Sequence, residues 1–100
     1  MSEPPHTIYL RKDFLIVHNL KTLPQYYQAT IERRKLFEIR KNDRNFQTGD
    51  KIQLNEWIEG KYTGRFAVGY IKDIFDISFL MPGYVAFTFI LIGYYEEEYE

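Results

Sequence analysis

The segment TLPQYYQATIERRKLFEIRK, residues 22–41, contains a helix signal followed directly by a strand signal. Pro24 suits the first turn of a helix, because its missing N–H would have no partner there. Leu23, Tyr27 and Ile31 recur every four residues and would form an apolar stripe on one face of that helix. We expect the helix to end in the run of cations that follows, since cations suit the negative end of the helix dipole.

The second half of this segment, residues 36–41, alternates between apolar and charged side chains, as a half-buried strand does. We expect Phe37 and Ile39 to face the core, and Glu38 and Arg40 to face a surface or a cleft. A carboxylate beside a guanidinium offers an acceptor and a planar donor fork, a combination suited to the edge of a nucleobase. A structural ion pair would have the same sequence, so both interpretations stay open at this point.

The rest of the chain predicts a small barrel. Further strands are expected at residues 14–17, 51–57, 65–75 and 84–95, and the last of these is apolar on both faces, as in a strand buried on both sides. The loops are short, and an open sheet would leave its edges unpaired. The sequence therefore predicts an α+β fold, a mixed β-barrel of about five or six strands with one N-terminal helix packed on it.

Composition limits the class of protein. The chain has 100 residues and no cysteine, which excludes a disulfide scaffold and a cysteine-containing zinc site. Its size fits one domain, which we place at residues 14–95, between a loose leader at residues 1–13 and an acidic tail at residues 96–100. The tail holds four of the 14 acidic residues, so 13 cations face 10 acids in the rest of the chain.

The sequence shows neither a targeting signal nor a membrane span. Residues 1–5 lack the basic and apolar parts of a signal peptide. The longest uncharged stretch, residues 77–95, is interrupted by Pro82 and Gly83, which leaves too short an apolar run to cross a bilayer. We therefore expect a soluble, cytoplasmic protein that makes no contact with a membrane.

Basic residues are dense in the segment that contains the predicted strand. They could neutralise phosphates, although a solvated charged face would have the same composition. Under the first interpretation the phosphate contacts are assigned to Arg33, Arg34, Lys41 and Arg44.

Glu56 is in phase with the apolar residues of its strand, so we expect it to find a cationic partner or to line a cleft. The candidate partners are Lys35, Arg40 and Arg65. Trp57 and Tyr62, which is expected in a loop, could stack on a base or simply pack against the barrel.

Several catalytic and cofactor motifs are absent from the sequence. The six glycines are scattered and form no phosphate loop, and no serine lies in a nucleophile elbow. His6 and His18 are too far apart to form a helical metal pair, and we expect His18 to hydrogen-bond locally. The sequence thus predicts no cofactor and no metal, and it disfavours a classical hydrolase.

A series of short motifs resembles the DUF3850 group of ASCH-like domains, which belong to the PUA-like superfamily. The motifs run in order over about residues 15–92, and they are HNLK (18–21), PQYY (24–27), KLFEIRKNDR (35–44), QTGD (47–50), LNEW (54–57), YTGR (62–65) and PGYV (82–85). The resemblance implies a PUA-like barrel that binds RNA or handles nucleotides, with its cleft between the helix and the barrel. It also places Lys35, Glu38 and Arg40 in that cleft, and Asn42, Asp43 and Arg44 at its rim.

One position and one turn depart from the patterns that the resemblance implies. Some ASCH-like proteins are amidohydrolases with a nucleophilic threonine three residues after the lysine, and Glu38 occupies that position here. A carboxylate replaces an activated hydroxyl poorly in acyl transfer. Related sequences often have a glycine in the turn before Lys35, where this chain has Glu32, Arg33 and Arg34.

The function expected from the sequence is binding of RNA or of a modified or unmodified nucleotide. The predicted ligand-binding residues are Lys35, Glu38, Arg40, Lys41, Asn42, Arg44, Trp57, Tyr62 and Arg65. One alternative is a small nucleoside-modifying amidohydrolase, in which Lys35, Glu38 and Glu56 would be catalytic. Another is a module that binds a protein partner and no nucleic acid. The resemblance also suggests a bacterial or phage origin.

Overall fold

A computed structural model of the chain describes the backbone of residues 7–9 and the whole of residues 16–98. The helix and strands are β1 (Thr7–Tyr9), β2 (Ile16–Thr22), α1 (Pro24–Ile31), β3 (Phe37–Lys41), β4 (Lys51–Ile58), β5 (Lys61–Asp76) and β6 (Tyr84–Tyr95). These strands form one sheet in the order β1-β2-β4-β5-β6-β3. The β2–β4 pair is parallel and the other pairs are antiparallel. The sheet curls into a half-barrel with one short helix, which confirms the prediction of a small α+β, barrel-like fold.

The bounds of β3, β4 and β6 agree with the sequence pattern, and β6 has the predicted ends. β2 continues to Thr22 instead of ending at Val17, and β5 begins at Lys61 instead of Arg65. Residues 14 and 15 of the first predicted strand lie outside the described residues, as does most of the predicted leader. Within that leader, Thr7–Tyr9 pair with β2. Of the acidic tail, residues 96–98 are described and follow the end of β6.

The prediction that β6 is buried on both faces is wrong. Its inward side chains are buried, whereas Ile90 and Ile92 on the outer face are 57% and 52% exposed. The physical reason is that α1 has only eight residues and packs on β4, β5 and β6 from the concave side. Among the described residues, the outward side chains of β6 are partly buried up to Thr88 and exposed at Ile90, Ile92 and Tyr94.

The core lies on the concave side and is built around Tyr27 and Phe87, both fully buried. Tyr27 is the central residue of the predicted helical stripe. Its hydroxyl donates a hydrogen bond of 3.2 Å to the carbonyl of Tyr95, which ties the helix to the end of β6. Burial, reinforced by the negative charge of Glu96, raises the pKa of Tyr27 to about 12, so the hydroxyl stays protonated and remains a donor.

The helix ends at Ile31, earlier than predicted, because the backbone of Arg33 adopts the left-handed conformation. The Arg33 N–H donates to the carbonyl of Thr30 at 2.9 Å, and the Arg34 N–H donates to that of Ala29 at 2.8 Å. This pair of bonds is a Schellman motif, which requires a left-handed residue after the C-cap. Arg33 takes that conformation with φ 62°, where glycine carries no side-chain penalty.

Replacing Arg33 by glycine is therefore expected to stabilise the fold. The gain is about 0.5–1 kcal/mol, because relief of the left-handed conformation exceeds the extra entropy of glycine in the unfolded chain. Urea unfolding of Arg33→Gly measures this gain in stability. The matched control is Arg34→Gly, which should show no gain because Arg34 does not have a positive φ. Equal or lower stability of Arg33→Gly would contradict this account of the helix end.

A second backbone constraint lies at Gly69 in β5, beside a break in the register with β6. A Cβ atom there would lie 2.7 Å from the carbonyl oxygen of Ile90 and 2.9 Å from the ring of Phe89. Gly69→Ala is expected to lower the free energy of unfolding by about 1–3 kcal/mol through overpacking. Gly93→Ala is the control, because its Cβ would meet nothing within 4 Å. Denaturant midpoints that are equal for the two variants would contradict the predicted clash.

Candidate functional site: a cationic seam in the half-barrel

The half-barrel is open between β2 and β3, and this opening is called the seam. Because β3 is an edge strand, side chains rather than a strand ladder connect it to β2. Arg40 Nη2 donates to the carbonyl of Lys21 at 2.6 Å, and Arg44 Nη1 donates to that of Asn19. Two guanidinium groups thus satisfy alternate carbonyls of β2 that a neighbouring strand would otherwise satisfy.

Glu38 lies at the base of the seam between two cations. Its Oε1 accepts from Arg40 Nε at 2.8 Å, and its Oε2 accepts from Lys35 Nζ. Lys35 Nζ also donates to the carbonyl of Phe37 at 2.7 Å. The carboxylate is buried, with 4% of its residue surface exposed, and the two cations compensate its charge.

The prediction that Phe37 and Ile39 face the core is wrong, whereas Glu38 and Arg40 line a cleft on the core side of β3. Glu38 and Arg40 lie opposite Phe87 and Val85 of β6, both of which point into the core. Phe37 and Ile39, which were expected inside, are about half exposed. The reversal has a physical basis, because a carboxylate held by two cations is tolerated inside the curled sheet. The sequence pattern alone assigns the charged side chains to the outside.

A first cleft of about 470 Å³ opens where the end of β2, the start of α1 and β3 meet. Its lining combines three cations, one carboxylate, two aromatic rings and smaller apolar and hydroxyl groups, contributed by Lys21, Thr22, Leu23, Tyr26, Lys35, Phe37, Glu38, Ile39 and Arg40. Lys35 Nζ lies 5.6 Å from the ring centre of Tyr26 and 5.0 Å from that of Phe37. The cleft therefore presents aromatic faces beside fixed positive charge.

A second cleft, of about 330 Å³, continues along the same seam and shares Ile39 and Arg40 with the first. Its further lining comes from Leu20, Lys41, Asp43, Arg44, Phe46 and Tyr84. Asn42 does not line this cleft, but its Oδ1 accepts a hydrogen bond of 3.0 Å from the N–H of the lining residue Phe46. The cleft carries three cations against one acid and is the more polar of the two.

Glu56 forms a separate ion pair that lines neither cleft. It is fully buried and binds Arg65 through two contacts, Nε to Oε1 at 2.8 Å and Nη2 to Oε2 at 2.6 Å. The hydroxyl of Thr63 donates to Oε1 at 2.7 Å. Burial alone would raise the pKa of Glu56, but the hydrogen bonds from Arg65 and Thr63 outweigh it and hold the pKa below its usual value. Of the three candidate partners predicted for Glu56, the structure pairs it with Arg65.

The remaining predicted ligand residues lie around this second ion pair, outside both clefts. Tyr62 is buried in β5 opposite Trp57, so its expected position in a loop is wrong. The pattern of its segment does not show that β5 begins at Lys61 rather than at Arg65. Trp57 is half-buried, and its ring lies 4.8 Å from Lys21 Nζ. The hydrogen bonds to Glu56 are the main cause that raises the pKa of Arg65, with smaller contributions from Tyr27 and Glu98.

The nine predicted ligand residues differ in whether they line one of the two clefts. Lys35, Glu38 and Arg40 line the first cleft, while Lys41 and Arg44 join Arg40 in the second. Asn42, Trp57, Tyr62 and Arg65 line neither cleft, and neither do Arg33 and Arg34. The sequence-based reasoning missed Lys21 and Tyr26 in the first cleft. A signal existed for Tyr26, because in the Tyr26–Tyr27 pair only one ring can lie on the buried stripe.

No metal-binding group of three or more suitable side chains occurs among the described residues. His18 is buried, and its Nε2 lies 2.7 Å from Oδ2 of Asp50, so it binds a side chain 32 positions away rather than a local one. His6 lies outside the described part of the chain. None of the described helices is long and apolar enough to cross a membrane.

The fold and the seam define a small α+β half-barrel with a cationic, aromatic cleft at its open edge. The chain belongs to the family described as a domain of unknown function, DUF3850, which matches residues 17–89. It is also similar to the "Uncharacterized 12.9 kDa protein in GpA 3'region" of Escherichia phage P2. The two are 37% identical over 75 residues, which is 75% of this chain and 69% of the relative.

Proposed function

We propose that this chain is an ASCH-like, PUA-like module that binds a nucleotide unit of single-stranded RNA in the first cleft. The observation that carries the proposal is the Lys35–Glu38–Arg40 group beside the exposed rings of Tyr26 and Phe37. RNA-binding proteins combine these same elements, cations for the backbone and aromatic rings on which unstacked bases lie.

Donors remain available on both cations of the group. Lys35 Nζ has three N–H donors, and two of them bind Glu38 and the carbonyl of Phe37. Arg40 uses Nε and Nη2, while its Nη1 makes no hydrogen bond to any described residue. These groups are held in place by the buried carboxylate, so a ligand binds without ordering long side chains first.

The walls of the cleft suit a base. Tyr26 and Phe37 are each 46% exposed, although they flank a buried ion group. Exposed aromatic rings next to a cation favour stacking on an unpaired base rather than insertion into a duplex groove. A volume of about 470 Å³ lies within the usual range of small-ligand sites.

Fluorescence anisotropy with a labelled single-stranded RNA tests the proposal. Binding should be saturable and should weaken between about 50 mM and about 200 mM salt, because cations that neutralise phosphates release counterions. Tyr26→Ala should lower the affinity by about tenfold, as expected for the loss of one stacked base.

The matched control is Tyr94→Ala, which removes a tyrosine of similar exposure that lines neither cleft. It should bind RNA as tightly as the original chain. Absence of saturable binding at low salt would overturn the proposal. An equal loss of RNA affinity in Tyr26→Ala and Tyr94→Ala would contradict the first cleft as the binding site.

A further inference from the structure

The second cleft has features that a base-binding site does not need. Its lining contains three basic residues, Lys41, Arg44 and the shared Arg40, and one acidic residue, Asp43. Asp43 Oδ1 lies 3.9 Å from Arg44 Nε, and the Asp43 side chain is the more exposed of the two. Of the two aromatic rings in its lining, Phe46 is buried and Tyr84 is half-buried.

The two clefts lie next to each other along β3 and share Arg40 in their lining. β3 runs along the seam from Phe37 in the first cleft to Lys41 in the second, which is about 13 Å at the usual rise of a strand. Arg40 lies between them with its Nη1 donors unused by the described residues. A ligand that fills the first cleft and continues along β3 would pass this guanidinium and reach Lys41.

We propose that the second cleft binds a second phosphate group, so that the preferred ligand is a nucleotide flanked by phosphates on both sides, as in an RNA chain. This inference rests on the proposed function, because it assumes that a base occupies the first cleft. Phosphate is the chemistry that fits, since three cations converge on one small polar cleft and guanidinium groups match phosphate oxygens in geometry. A free nucleoside monophosphate supplies only one of these two phosphate groups.

Isothermal titration with a nucleoside monophosphate and with the corresponding nucleoside 3′,5′-bisphosphate tests this inference. The bisphosphate should bind about tenfold more tightly, the gain expected from one further charge-assisted phosphate contact. Lys41→Ala should remove this advantage, so that it binds the two ligands with equal affinity. The control Lys72→Ala removes an exposed lysine of β5 outside both clefts and should keep the advantage.

The outcomes separate the two proposals. Equal affinities for the two ligands, or an advantage that survives Lys41→Ala, would overturn the second phosphate site and leave base binding in the first cleft standing. If neither ligand binds and RNA does not bind either, the proposed function itself fails. Tyr26→Ala should lower the affinity for both ligands by the same factor, because it acts on the first cleft.

Discussion

Arg65→Met is expected to lower the free energy of unfolding by about 3 kcal/mol, because it leaves the Glu56 carboxylate buried without a cation. Glu56 is fully buried, and Arg65 supplies two of its hydrogen bonds. Methionine keeps most of the volume of the arginine side chain, so the loss reports the charge rather than a cavity. Urea unfolding measures it.

The double variant Glu56→Gln with Arg65→Met is the control. It removes both charges, and Thr63 still has an amide oxygen to which it can donate, so most of the lost stability should return. If the double variant is as unstable as Arg65→Met, the loss comes from packing and the account of an unpaired charge is wrong.

The dependence of stability on pH gives a second check on this pair. The pKa of Glu56 is lowered in the folded protein, so folding favours its ionised form. The stabilisation is complete above the unfolded pKa of about 4.3 and is lost as the pH falls through the folded value. In Arg65→Met the buried carboxyl is easier to protonate, so the difference in stability from the original chain should shrink in acid. A difference that stays constant from pH 7 to about pH 4 would contradict this.

Glu38→Gln with Arg40→Met is expected to lower RNA affinity by about 100-fold. The double variant removes the guanidinium that lines both clefts and the carboxylate that positions Lys35. Two charge-assisted hydrogen bonds to a ligand correspond to about two powers of ten in affinity. Anisotropy titration with the labelled single-stranded RNA measures the loss.

The matched control is Glu56→Gln with Arg65→Met, which makes the same chemical change in the ion pair that lines neither cleft. It should bind RNA as the original chain does. Circular dichroism confirms that both double variants are folded at the temperature of the titration. If the seam variant binds RNA normally, Glu38 and Arg40 have only a structural role.

Local patterns in the sequence predicted the elements of the fold well. The proline and apolar stripe predicted α1, and the alternation of residues 51–57 predicted both β4 and the inward direction of Glu56. The carbonyl contacts that hold the seam could not be predicted in this way. Arg40 reaches Lys21 across 19 positions, and Arg44 reaches Asn19 across 25, so neither contact leaves a local signal.

The reversed faces of β3 show where pattern reasoning fails at the candidate site. Alternation fixes which side chains share a face, but hydrophobicity selects the buried face only when the polar set has no partners. Here Lys35, which precedes the strand, and Arg40 both donate hydrogen bonds to Glu38. The buried carboxylate therefore has its cationic partners inside the curled sheet. Phe37 and Ile39 are left on the exposed side, where Phe37 becomes a wall of the first cleft.

The central claim is that RNA binds at the seam, and mapping the bound RNA by amide-detected NMR tests it most directly. Titration with a short single-stranded RNA should shift the signals of Tyr26 and of residues 35–41 saturably and leave those around Arg65 in place. Saturable shifts centred on Arg65 and Trp57 instead, or no shifts at any RNA concentration at low salt, would contradict the account.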